Sequence, residues 1–191
     1  INGMIYMRGQ SRDYDQWAAL TGDEEWRWDH CLPDFKAHED HYKLDSALRP
    51  SDGRQSPISS RFSELHGHGG EWRVEKQRLR WDVLDAFAAA AQEAGIPATD
   101  DFNRGTNEGV GYFEVNQKAG WRWNTAKAFL RPALQRPNLT VWTGAQVRRL
   151  LIERGDAGLR CTGVELVRGG QALTLRAARA GVASAVSGVD D

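Results

Sequence analysis

The order of apolar and polar positions divides the chain into a helical first part and a stranded last part. The spacing predicts a short helix over Asp13 to Leu20, capped by Ser11 or Asp13. Asp29 is placed to cap a second helix over residues 30–42, with Pro33 in its early turns, where a missing N–H costs least. Residues 44–70 carry Pro50, Gly53, Pro57 and a polar run between them, which predicts a long loop. A loop of that length serves as a lid or an interface, or stays disordered. Glu71 to Lys76 reads as a short strand. Trp81 to Ala94 carries the strongest helical pattern, with Val83, Leu84, Phe87, Ala88 and Ala91 recurring on one face. Gly95 ends it and Pro97 blocks its continuation. Val110 to Asn116 has strand character, and Lys118 to Gly120 is a turn. Asn124 can cap a helix reaching about Leu134, its last turn weakened by Pro132.

Beyond Pro137-Asn138 the period changes to that of strands. Leu139 to Trp142, Gln146 to Glu153, Leu159 to Val167 and Ala172 to Arg176 all read as strands. Gly155-Asp156 and Gly169-Gly170 are the turns, so the last three strands predict a β-meander. From Ala177 onward the residues are small and lack a core-forming pattern, so this tail is expected to fray. The fold class expected is mixed α+β.

Charge is almost balanced, with 25 basic and 26 acidic side chains, and no basic patch stands out. Nucleic acid is therefore excluded as an expected partner. Mean hydropathy is −0.60, and no apolar run approaches the ~18 residues a membrane span needs. Association with a membrane surface is not readable from the sequence. Ile1 to Gly9 lacks a basic stretch followed by an apolar one, so it is not a signal peptide and a cytoplasmic location is expected. The absence of an initiator Met suggests a start inside a gene or after processing. Cys31 and Cys161 are too few for a disulfide framework and are expected as buried thiols. Eight Trp residues are expected to anchor cores and interfaces.

The sharpest local feature is the opening Ile1-Asn2-Gly3-Met4-Ile5-Tyr6-Met7-Arg8-Gly9. Gly3 allows close backbone approach to a ligand, and the Asn2 amide both donates and accepts hydrogen bonds. Asn-Gly is equally a common turn. His38 and His41 are spaced i, i+3, and His66 and His68 flank Gly67, so a metal site is conceivable. A tight turn into the strand at Glu71 accounts for the glycines more simply, and the histidines are expected in water. No metal ligand and no catalytic residue is assigned. Asp100-Asp101, Glu24-Glu25 and Glu39-Asp40 are expected to cap helices or face solvent, without partners that shift their pKa. No Gly-x-Gly-x-x-Gly follows a strand and opens a helix; Gly105, Gly109 and Gly111 come closest with the wrong spacing. The chain is not a complete dinucleotide-binding domain.

Taken in order, several segments resemble the glucose-methanol-choline (GMC) oxidoreductases, in a choline-dehydrogenase-like form. They are Ile1 to Gly9 with Asp13-Tyr14-Asp15-Gln16-Trp17, Trp28-Asp29 with Cys31-Leu32-Pro33-Asp34-Phe35-Lys36, and His66-Gly67-His68-Gly69-Gly70. Asp101-Phe102-Asn103, Glu108-Gly109-Val110-Gly111, and Gly120, Arg122, Asn124-Thr125-Ala126 with Phe129-Leu130 follow. Arg136-Pro137-Asn138-Leu139-Thr140-Val141 and Thr143-Gly144-Ala145 with Val147 come last. The match runs from residue 1 to about 176, with an enlarged loop near 44–65.

The resemblance implies an FAD enzyme that oxidises a primary alcohol such as choline to an aldehyde, passes hydride to the flavin, and hands the electrons to an acceptor. It implies that Asn2, Gly3 and Met4 lie along the flavin and its phosphates, and that the Val147 backbone touches the adenine end. It divides the chain into a flavin-contacting segment with helices (1–43), the loop (44–70), part of a substrate domain (71–138), a meander of the FAD domain (139–176) and a disordered tail (177–191). The family's phosphate-binding fold and its C-terminal catalytic His are expected to lie outside this chain, leaving an incomplete GMC fold that is inactive alone. The alternative from another class is a non-catalytic binding or interaction module built on the same scaffold.

Overall fold

The computed structural model describes residues 3–45, 62–155 and 158–178. The chain divides into two compact units, Ile1–Arg136 and Pro137–Asp191.

The first unit opens with an extended segment and a helical hairpin. Helix α1 spans Ser11–Thr21, and its N-cap is Gln10 rather than Ser11 or Asp13. Asp13 still contributes, because its carboxylate accepts the Gln10 N–H at 3.0 Å. Helix α2 spans Trp28–His38. Its first N–H is capped from α1, by Asp15 Oδ1 at 3.1 Å, and not by Asp29. Tyr14 joins the two helices: its ring lies 5.3 Å from Trp17, 5.3 Å from Trp28 and 5.8 Å from Phe35. Trp17 and Trp28 pack on Tyr14, but none of the eight tryptophans is part of the buried core expected of them, and Trp17 itself is 48% exposed.

The helix expected to reach residue 42 stops at His38, and the chain turns into strand β1, Glu39–His41. Two backbone bonds hold the strand on one edge, from His41 N to Gly67 O and from Gly70 N to Glu39 O, both 3.0 Å. The crossing is too close for side chains. A Cβ on Gly67 would sit 1.8 Å from the Lys36 carbonyl oxygen, and one on Gly70 would sit 2.2 Å from the His38 carbonyl carbon. The glycine-rich turn is therefore a close passage over the end of α2.

Strand β2, Trp72–Lys76, runs parallel to β1 and antiparallel to β3, Glu114–Val115. Residues 4–6 extend the sheet beyond β3, with Asn116 N donating to Met4 O and Tyr6 N donating to Glu114 O, each at 2.8 Å. Val74 at the centre is fully buried. The strand expected over Val110–Asn116 is shorter, because Val110 bonds instead to the 97–99 segment. Helix α3, Asp82–Glu93, matches its expected span, and Gly95 follows at φ +90°. Among the described residues its apolar face is largely exposed, Val83 at 65% and Phe87 at 68%, with Ala88 and Ala91 half-buried. Strands β4 (Gln117–Lys118) and β5 (Trp121–Arg122) form a hairpin with positive φ at Ala119 and Gly120. A π-helical turn, Ala126–Leu130, then leads into α4, Arg131–Ala133, with Asn124 Oδ1 accepting the Lys127 N–H at 3.0 Å.

The second unit is the expected meander: β6 (Ala145–Gly155), β7 (Gly158–Arg168) and β8 (Gln171–Arg176), all antiparallel. Gly169 and Gly170, both at positive φ, make the second turn. Leu139 to Trp142 forms no strand. It stays irregular although, among the described residues, β6 and β8 each pair on one side only. Most of the expected tail, residues 179–191, and most of the loop, residues 46–61, lie outside the described residues. No helix is long and apolar enough to cross a membrane among the residues described.

Candidate functional site

Of the residues expected to meet a flavin, Asn2 lies outside the described residues. Gly3 and Met4 form a bend at the start of the first unit. Gly3 is exposed, and a Cβ there would meet only the Ile5 side chain, at 3.8 Å. Met4 adopts φ +65°, a left-handed conformation that costs a non-glycine residue about 1–2 kcal/mol. The bend is fixed from the sheet side by the Asn116 N–H on the Met4 carbonyl. Val147 belongs to the second unit. It stands on β6 beside a register shift between Val147 and Arg149, and is 52% exposed.

Behind the bend lies a buried charged cluster that hydropathy does not reveal. Arg8 donates to Tyr6 Oη through Nε at 2.9 Å and to the Leu65 carbonyl at 2.6 Å, and ion-pairs with Glu39 at 2.7 Å. The Arg8 backbone N–H donates to Asn103 Oδ1 at 2.8 Å, and Asn103 Nδ2 returns to the Tyr6 carbonyl at 3.2 Å. The Tyr14 hydroxyl caps the Arg8 carbonyl. Glu39 Oε2 also accepts the Gly67 N–H at 2.7 Å. His66 sits between two carboxylates, with Nδ1 3.1 Å from Glu39 Oε2 and Nε2 3.1 Å from Asp101 Oδ2. Asp101 Oδ1 accepts the Asn103 N–H at 2.7 Å, closing the circuit. The His41 ring lies 4.3 Å from that of His66, with Nε2 3.0 Å from Glu114 Oε2, and Lys43 pairs with the other Glu114 oxygen at 3.1 Å.

The electrostatics follow from these contacts. Burial alone would raise the Glu39 carboxyl, but the His66 hydrogen bond, the Arg8 and His66 charges and the Gly67 N–H hold it at about 2. Asp101 is likewise opposed by burial and held at about 2 by His66, the Asn103 N–H and Lys43. Burial pulls His66 down, and its bonds to Asp101 and Glu39 reverse this, so it ends above the ordinary imidazole value. Burial pushes the Tyr6 phenol far up.

These findings correct two expectations. His41 and His66 are not solvated; their side chains are fully buried. Glu39 and Asp101 are not free carboxylates, because each has partners that lower its pKa. Their shared partner His66 lies 27 residues from Glu39 and 35 from Asp101, beyond any local pattern. The available signal was Arg8 among the apolar residues Ile5 to Met7 and the alternation of Glu39 and His41 around Asp40. The adjacent carboxylates of Asp40 and Asp45 are taken up by Arg73, at 3.2 and 2.7 Å.

Comparison with known proteins decides the family. A family model described as GMC oxidoreductase matches residues 1–189. The chain belongs to the GMC oxidoreductase family. The match extends past residue 176, where the resemblance read from the residues ended. An oxygen-dependent choline dehydrogenase of Sinorhizobium medicae is 36% identical over 98% of this chain and 30% of its own length. The mitochondrial choline dehydrogenase of Mus musculus is 35% identical over 90% of the chain and 25% of its own length. Among solved structures, pyridoxine 4-oxidase from Mesorbium loti superposes with a TM-score of 0.73 and 31% identity, covering 92% of this chain and 31% of that one. The chain thus spans about 30% of the length of these relatives.

Proposed function

We propose that this chain is the flavin-facing portion of an FAD-dependent alcohol oxidoreductase, choline-dehydrogenase-like, that oxidises a primary alcohol to an aldehyde and delivers the electrons to a separate acceptor. The observation that carries the reading is the Gly3–Met4 bend, strained at Met4 and anchored from behind by Asn116. Asn2, Gly3 and Met4 would lie along the flavin and its phosphates, and the Val147 backbone would meet the adenine end. A bound flavin supplies the acceptor for the hydride that leaves the alcohol carbon. The residues of this chain bind and orient; no catalytic acid or base is assigned to it. Residues 1–43 and 139–176 would belong to the FAD domain and 71–138 to the substrate domain.

The test is a chimera in which residues 1–191 replace the matching segment of the Sinorhizobium choline dehydrogenase. The reading expects the chimera to retain FAD and alcohol-dependent dye reduction, while the isolated chain holds no stoichiometric FAD and is inactive. A folded chimera that cannot retain FAD would refute it, and tight FAD binding by the isolated chain would refute its incompleteness. The largely exposed apolar face of α3 favours a second reading, a non-catalytic interaction module. Obligate dimerisation in sedimentation, abolished by Phe87→Ser, would support that reading; a monodisperse monomer would count against it.

A further inference from the structure

We infer that His66 is an imidazolium at neutral pH and that this buried cation is the positioning residue which, through Glu39 and Arg8, fixes the path of residues 4–8. The argument is a count of hydrogen-bond roles. Both ring nitrogens of His66 face carboxylate oxygens at 3.1 Å, Nδ1 toward Glu39 and Nε2 toward Asp101. An ionised carboxylate only accepts, so each nitrogen must donate, and only the doubly protonated ring has two donors. Both carboxyls stay acceptors toward the ring: Glu39 Oε2 faces the Arg8 guanidinium and takes the Gly67 N–H, and Asp101, whose Oδ1 takes the Asn103 N–H, is held well below the ordinary carboxylate range.

The neighbouring ring has the opposite assignment. His41 Nδ1 receives the Lys43 N–H at 3.2 Å, so it carries no proton, and Nε2 donates to Glu114. The two imidazoles, 4.3 Å apart and tilted by 57°, thus play different hydrogen-bond roles, fixed by their partners. The charges facing His66 are Glu39 and Asp101 directly, Arg8 through Glu39, and Glu114 and Lys43 through His41, with Tyr6 behind Arg8. Arg8 and His66 balance Glu39 and Asp101, so the inner cluster is neutral only while His66 is charged.

The consequence reaches the bend. Glu39 and Asn103 hold Arg8 by its side chain and its N–H, and Asn103 also holds the Tyr6 carbonyl. Loss of the His66 proton leaves one of two buried carboxylates without a donor, at a cost that favours opening the cluster. The direction of the His66 shift agrees with this assignment. The relevance to a flavin rests on the function proposed above. The assignment itself does not, and it is measured without FAD, so the two can fail separately.

The experiment is side-chain nitrogen-15 NMR of the histidines in the whole chain across neutral and alkaline pH, combined with amide exchange at Tyr6 and Arg8. The expected result is a His66 ring protonated on both nitrogens at about pH 7.5, above the ordinary imidazole value of about 6.5. Protection at the Arg8 and Tyr6 amides should fall about tenfold or more as that proton is lost. Asp101→Asn keeps an acceptor for the Asn103 N–H but turns an amide donor toward Nε2. It should convert His66 to the neutral form with the proton on Nδ1 at the same pH. A wild-type His66 lacking a proton on either nitrogen overturns the charge assignment. A charged His66 whose titration leaves Tyr6 and Arg8 protection unchanged overturns the positioning role. Should Asp101→Asn fail to fold, the wild-type titration decides both points.

Discussion

Replacing Glu39 with Gln is the most informative single perturbation of the charged cluster. The side chain is fully buried and faces Arg8, His66 and the Gly67 N–H. Gln keeps the shape and one acceptor for the Gly67 N–H, removes the charge and turns an amide donor toward His66 Nδ1. The fall from the ordinary 4.5 to about 2 corresponds to about 3 kcal/mol of preference for the ionised form. Removing one partner of a buried pair typically costs about 3–5 kcal/mol, because the remaining charge stays buried and uncompensated. The two figures describe one interaction and are not summed. Glu39→Gln should therefore destabilise the first unit by about 3–5 kcal/mol, a large share of a domain's total stability. Urea unfolding followed by tryptophan fluorescence measures this, since Trp17, Trp26 and Trp28 lie in the adjoining helical hairpin. A loss below about 1 kcal/mol would show that the ion pairs contribute little beyond their hydrogen bonds and would refute the reasoning.

The pH dependence has two arms of opposite sign. Glu39 and Asp101 are depressed to about 2, so their contribution is complete above about pH 4.5 and is lost as pH falls toward 2. His66 is raised, so its contribution is complete below about pH 6.5 and is lost as pH rises through its folded value. Urea midpoints across pH should therefore peak between these limits; a flat profile would contradict both arms. Gly67→Ala would place a Cβ 1.8 Å from the Lys36 carbonyl and should unfold the α2–β1 junction, costing at least about 3 kcal/mol in the same assay. A stable Gly67→Ala protein would show that this crossing is looser than described.

Much of the fold was legible where local chemistry determines it. The meander could be read because Gly169-Gly170 supplies the two positive-φ positions of a tight turn between alternating strands. Helix α3 could be read from its period, yet the period did not say that its apolar face would be largely exposed among the described residues. Strand β1 was missed because Glu39, Asp40 and His41 are all polar, and burial of ion pairs leaves no hydrophobic alternation to detect. The same residues read as helix through the i, i+3 spacing of His38 and His41. Leu139 to Trp142 failed in the other direction, since strand propensity alone does not pair a segment, even with β6 and β8 open on one side among the described residues. At the candidate site the sequence indicated the Gly3–Met4 bend by its glycine. Of the cluster, whose members come from residues 8, 39, 66, 101 and 103, it carried only local traces, Arg8 among apolar neighbours and the Glu39–His41 alternation, because the partners are far apart along the chain.

The central claim is that Gly3 and Met4 lie against a flavin. The most direct measurement is backbone hydrogen exchange of the chimera described above, with FAD bound and after its removal. The account predicts that FAD slows exchange in the peptide covering residues 1–9 by about tenfold or more, with Met4 and Ile5 among the protected amides. Exchange in that peptide unchanged by stoichiometric FAD would contradict it.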